Sequence, residues 1–242
     1  MFLKRLHTFW RYWRTVRHLR VRQIRFRVVR MAKARLCPVS RLPQWGAAPE
    51  FDAEALAGLR AWAERWAALA PPSGEAVEAL RKGTLSCCGF SQRFERSPEW
   101  GWAKASPLAR YALHGFGFSR PLAFFMLAHP EENAADRTLV FRWMEDWAAK
   151  NPRRARPGWE AFPIAERLLH WAMLAAVAGS PGEAVRRSFA AQADHLRCNL
   201  EYDLLANHLM QNAAGLAVAG AVLGNDAMRD EALEVLEREV AE

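Results

Sequence analysis

Between Pro107 and Ala241 the chain is cut into six apolar stretches by short breaks, and this punctuation constrains the fold more than any other feature. The stretches cover about 107–128, 133–150, 163–179, 183–198, 200–223 and 226–241. The breaks fall at His129-Pro130, at Asn151 to Pro157 and at Gly179 to Gly182. Each stretch repeats its large side chains at three- and four-residue spacing, the period of a helix with one buried face. Connections this brief join antiparallel helical neighbours. Eleven Trp and thirteen Phe, set among abundant Ala and Leu, favour helices packed through aromatic side chains. The expected class is all-α, a layered array of helix pairs.

Upstream of Pro107 the pattern is less uniform. Residues 51–70 carry Trp62 and Trp66 four apart, one helical face that ends at Pro71-Pro72. Residues 83–94, "GTLSCCGFSQRF", are bounded by glycine and poor in helix formers, and form the one expected β element. Residues 37–50, "CPVSRLPQWGAAPE", contain three Pro and a Gly and read as a linker. The expected organisation is therefore a basic amphipathic N-terminal helix over 1–36, the linker over 37–50, and a helical body over 51–242.

The net charge of +8 conceals a division between these parts. Residues 1–49 hold thirteen Lys and Arg and no Asp or Glu, which leaves 21 bases against 26 acids, a balance of −5, in residues 50–242. A mildly acidic body gives no reason to expect nucleic-acid binding. In the arm, Phe2, Leu6, Phe9, Trp13 and Val16, then Ile24, Val28 and Met31, recur at helical spacing between arginines. Docking of that stripe on the body is the expectation; peripheral contact with anionic lipid, or with an acidic polymer, is the alternative. Arginine interrupts residues 11–35 too often for a secretory signal, and the apolar run 164–178 carries Glu166, Arg167 and His170, so no membrane span is expected.

Cys37, Cys87, Cys88 and Cys198 lack C-x-x-C spacing, and no histidine lies close in sequence to the Cys87-Cys88 pair, so no metal site, cofactor or disulfide framework is expected. Three clusters do interrupt the apolar pattern. "ARYALHGFGF" at 109–118 sets Arg110, Tyr111 and His114 on one side of a helix. "GWEAFPIAERLLHW" at 158–171 puts Arg167 and His170 three apart on one face, behind Trp159. "LEYDLLANHLMQNAAGLAVAG" at 200–220 holds Glu201, Asn207, His208 and Asn212. Each has a plain explanation as a satisfied core or capping residue, with Arg167 in an interior ion pair with Glu166 or Glu160. Taken together, buried donors of cationic or amide character on successive helices point to an anionic, hydroxyl-rich ligand.

The second and third clusters, in this order, resemble the N-terminal helical domain of the heparinase II/III-like polysaccharide lyases, and "RYALHGFGF" and "RYWRTVRHLRVRQIRFRV" extend the resemblance over most of the chain. The resemblance implies an incomplete (α/α) toroid, followed in complete members by a C-terminal β-sandwich that is absent here. It implies cleavage of acidic, uronate-containing glycans by β-elimination, with no cofactor. A base removes the C5 proton beside the sugar carboxylate, and donors aimed at that carboxylate stabilise the charge that develops. By resemblance Asn207 and His208 are those donors, Glu201 and Asn212 support them, and Arg167, His114, His170, Trp159 and Tyr111 bind substrate. Two positions depart from the family: Ala112 stands where an Asn is usual, and His170 replaces the Asn of Arg-x-x-Asn-Trp. The sequence also ends before the family's catalytic Tyr, with only Tyr12, Tyr111 and Tyr202 in the chain. The resemblance thus implies the N-terminal part of such a lyase, a fragment that carries half of the site and has no substantial lyase activity by itself; a non-catalytic glycan-binding or polysaccharide-assembly protein is the alternative. Relatives act in the periplasm or outside the cell, whereas no export signal is visible here, so envelope and cytoplasm both stay open, as does oligomeric state.

Overall fold

The computed structural model describes residues 21–36, 48–153, 155–204 and 206–241. It is mostly helical, with ten α-helices and one two-stranded sheet among the described residues. The helices are α1 (Val21–Leu36), α2 (Ala53–Leu69), α3 (Gly74–Arg81), α4 (Pro107–Gly115), α5 (Arg120–Ala128), α6 (Ala134–Lys150), α7 (Ala161–Ala178), α8 (Glu183–Arg197), α9 (Ala206–Val222) and α10 (Asp226–Ala241). Strands β1 (Thr84–Cys87) and β2 (Phe90–Arg93) pair antiparallel with Cys87 opposite Phe90. Cys88 and Gly89 both have positive φ, as a tight two-residue hairpin turn requires.

Local chemistry sets most boundaries. The Asp52 carboxylate accepts the Ala55 N–H at 2.8 Å and opens α2, while Ser106 accepts the Ala109 N–H ahead of Pro107 and opens α4. The single helix expected over 107–128 is two. Phe116 takes a left-handed conformation at φ 64 and caps α4, and a short turn of 3₁₀-helix over Gly117–Ser119 leads into α5. The helix expected from residue 200 starts at Ala206 instead, because residues 201–204 form turns whose backbone is tied to α9 from outside the helix. Helix α3 is an addition to the sequence reading; it buries Val77 and Leu80, and Arg81 clamps the buried Asp136 of α6 through two hydrogen bonds of 3.0 and 2.8 Å.

The helices gather around α7, which packs against α2, α4, α5, α6, α8 and α9. Its length and apolarity are those of a membrane-crossing helix, but most of its surface is covered by protein. Its own Trp171 is fully buried, as are Trp143 and Trp147 of α6. On its far side α9 comes so close that a Cβ placed on Gly215 would lie 2.7 Å from both Cα and the carbonyl oxygen of Ala165. Gly215→Ala gains about 1 kcal/mol of helix propensity, but rigid backbone cannot yield as a side chain would, and such overpacking costs about 1–3 kcal/mol. The clash wins. A net loss of about 1–2 kcal/mol is expected, read as a lower urea midpoint at unchanged slope.

The arm expectation is corrected where the chain can be seen. Phe2 to Val16 lie outside the described residues, as do residues 37–47 of the linker. In α1 the stripe does not dock: Ile24 and Val28 face solvent. The helix meets the body through its other side. Phe26 stacks on Tyr202 with ring centroids 4.5 Å apart, Gln23 donates to the Asp203 carbonyl at 3.3 Å, and Arg27 lies 4.0 Å from the Asp203 carboxylate.

Candidate functional site

A cleft of about 970 Å³ opens on one side of α7. Its floor is a stripe on α7 itself, where Phe162, Glu166 and His170 stand four residues apart and so share a face. Tyr111 of α4 and Arg120 of α5 line it, as do Asn207 and His208 of α9. The α4–α5 break makes room for it: Gly117 faces His170, and a Cβ there would sit 3.6 Å from the imidazole Cε1. A hydroxyl-rich ligand of a few rings fits such a volume.

His208 is held from behind. Its Nδ1 lies 3.2 Å from Oε2 of the buried Glu201. Glu201 is fixed in turn by Asn212, whose Oδ1 accepts the Glu201 backbone N–H at 2.9 Å and whose amide donates to the carboxylate at 3.4 Å. Phe162 packs on the imidazole with centroids 4.8 Å apart. The hydrogen bond at Nδ1 fixes the orientation of the ring and turns its other nitrogen away from Glu201. Asn207, next in sequence, presents an exposed amide at the same wall.

The other end of the stripe is electrostatically different. His170 Nδ1 is bonded to the Glu166 carbonyl at 2.8 Å. Burial lowers its pKa, helped by the positive Arg120 and opposed by the Glu166 and Gly115 carbonyls, so the ring is neutral at neutral pH. Burial also raises the pKa of Glu166, with Arg120 opposing. Each shift suppresses charge there, leaving Arg120 as the exposed cation of that end.

The sequence candidates therefore separate. Asn207, His208, His170 and Tyr111 come together in the cleft, with Glu201 and Asn212 behind them. Arg167 is fully buried, its side chain turned from the cleft into the core. It donates to Gln192 Oε1 at 2.6 Å and to the carbonyls of His114, Gly158 and Pro163 at 2.7, 2.9 and 3.4 Å. Its guanidinium also covers the Trp147 ring at 3.6 Å. Its bonds go to carbonyls and an amide, with no ion pair to Glu166 or Glu160 among the described contacts. His114 is buried beside it and accepts the Trp147 indole N–H at 3.0 Å, so Tyr111 and His114 do not share a surface. Trp159 donates to the Asn151 carbonyl at 2.9 Å and borders a separate hollow between the end of α6 and α8.

Glu166, Arg120 and Phe162 are cleft residues that the sequence reading passed over as site candidates. The i, i+4, i+8 spacing of Phe162, Glu166 and His170 is the signal that would have found two of them. Among the described residues no group of His, Cys, Asp and Glu is arranged to hold a metal ion. Comparison of the chain with protein-family models, with curated proteins and with solved structures gave no match.

Proposed function

We propose that the cleft binds an acidic, uronate-containing glycan, with Asn207 and His208 meeting the sugar carboxylate, in the manner of the carboxylate-recognising part of a heparinase II/III-like β-elimination site. The observation that carries this reading is the Glu201–His208 pair beside the Asn207 amide on the wall of an open cleft. An amide N–H and an imidazole N–H are the donors a carboxylate needs when its α-proton is to be acidified. On this reading the helices around α7 are an incomplete (α/α) toroid, and Tyr111, His170 and Arg120 contact neighbouring sugar units. Arg167, His114 and Trp159 support the cleft from within the core and do not touch substrate.

Titration of the chain with an oligouronate, followed calorimetrically, tests the reading. Asn207→Ala and His208→Ala should each weaken binding about tenfold to a hundredfold, the loss of one charge-assisted hydrogen bond. A neutral oligosaccharide of the same length should bind far less well. Equal affinity of both variants and wild type would sink the proposal. Monitoring unsaturated uronate in the same samples separates two roles: binding without product identifies a glycan-retaining protein, and product that disappears in Asn207→Ala identifies a lyase.

A further inference from the structure

The outward face of α1 carries an inference independent of the cleft. Val21, Ile24, Val28 and Val29 are 82%, 39%, 55% and 38% exposed. With the exposed Ala32 they occupy one side of the helix, at 3.6-residue periodicity, and Arg25 stands exposed among them. The opposite side is committed to Tyr202 and Asp203 through Phe26, Gln23 and Arg27. An aliphatic stripe in a segment with thirteen bases and no acid, attached to a body of net −5, needs a partner that is both anionic and apolar.

We infer that α1 seats on an anionic lipid surface, inserting Val21, Ile24 and Val28 among the acyl chains near the headgroups while the exposed Arg25 meets lipid phosphate. Other occupants match only half of this chemistry. Residues 1–20 and a second copy of α1 are themselves all-basic, and their approach is repelled. A polyanionic glycan or nucleic acid answers the arginines but leaves the aliphatic side chains in water. A bilayer interface takes both, the aliphatic face by burial and the cations by the surface potential. The acidic body is repelled by the same surface, so α1 is the side that turns toward it. The Phe26–Tyr202 stack lies one residue along from Glu201, so seating α1 also holds the His208 wall of the cleft near the lipid.

Flotation of the full chain with vesicles of phosphatidylcholine, alone or mixed with phosphatidylglycerol, is the test. Binding is expected only to the mixed vesicles, and should weaken as salt is raised. The triple variant Val21→Ser/Ile24→Ser/Val28→Ser should partition about a hundredfold less well with its melting temperature unchanged, because none of the three side chains belongs to the core. If the triple variant binds as wild type does, charge alone is responsible and the inference is overturned. Duplex DNA bound more tightly than the mixed vesicles, and insensitive to the triple change, would overturn it in favour of a polymer. A dimer in sedimentation velocity that the triple variant abolishes, without vesicle binding, would overturn it in favour of a second copy.

Discussion

Arg167→Met is expected to remove about 3–5 kcal/mol of stability, a large share of what a domain of ordinary stability has. The guanidinium is fully buried, yet its neighbours are oxygen dipoles and an indole face, not a carboxylate. Burial pushes its pKa downward, and the acceptors around it offset that cost by receiving a fixed fork of N–H groups. Methionine fills the space but strands the Gln192 amide oxygen and the carbonyls of His114 and Gly158 without donors. Each orphaned acceptor costs about 1–3 kcal/mol. Arg167→Lys should fail nearly as badly, since one ammonium cannot reach acceptors on three different segments. Urea denaturation read by tryptophan fluorescence gives the answer; a loss under 1 kcal/mol in either variant would mean that the buried network is not what holds these segments together.

Acid should destabilise the protein well before its carboxylates titrate. Burial, with the Arg167 charge second, lowers the His114 pKa from 6.5 to about 3. Burial likewise lowers His195 to about 4, with Arg153 adding to the effect. The sign follows from proton counting. Below pH 6.5 the unfolded chain binds protons that the folded chain refuses, so stability that is intact above 6.5 is lost as pH falls toward 4 and 3. Each such histidine contributes about 1.4 kcal/mol per pH unit inside its window, several kcal/mol in all by pH 4. His114→Gln keeps an acceptor for the Trp147 indole and removes one titrating group, so its stability should fall less steeply with pH than wild type. Urea midpoints between pH 7 and 4.5 measure both slopes. Parallel slopes for the two proteins would show that His114 does not stay unprotonated in the folded state.

Sequence periodicity located most of the body helices because their boundaries are written locally, in Asp52, Ser106, Pro107 and the Gly179–Gly182 break. It failed where a distant contact or an unlikely residue decides. Phe116 splits a helix by adopting a conformation usually left to glycine, and the bulk of its ring, stacked on Trp100 and edge-on to Trp171, gives no warning of that. The start of α9 is delayed by Asn212 reaching back eleven residues to Glu201, which no window of local propensity contains. At the candidate site, residue chemistry picked out Asn207 and His208 of α9, which line the cleft, but spacing could not distinguish a side chain facing the cleft from one facing the core. Arg167 and His170 are three apart and differ by about 60° around the helix. That rotation separates a neutral cleft imidazole from a buried structural cation. In α1 both sides carry large apolar residues, Phe26 on one and Ile24 and Val28 on the other, so composition could not say which side the body would take.

The placement of Arg167 also determines how divisible the molecule is. Its acceptors come from α4, from the residues before α7, from α7 itself and from α8, and they span positions 114 to 192. In a stack of self-contained repeats each pair satisfies its own polar groups and can be trimmed or duplicated with little effect on the rest. Here α4, α7 and α8 do not, because excising α4 or α8 leaves a vacancy in the hydrogen-bond shell of a cation seated on α7. These three helices are thus an indivisible unit, and a shortened version that keeps the cleft must also keep α8, which does not line it.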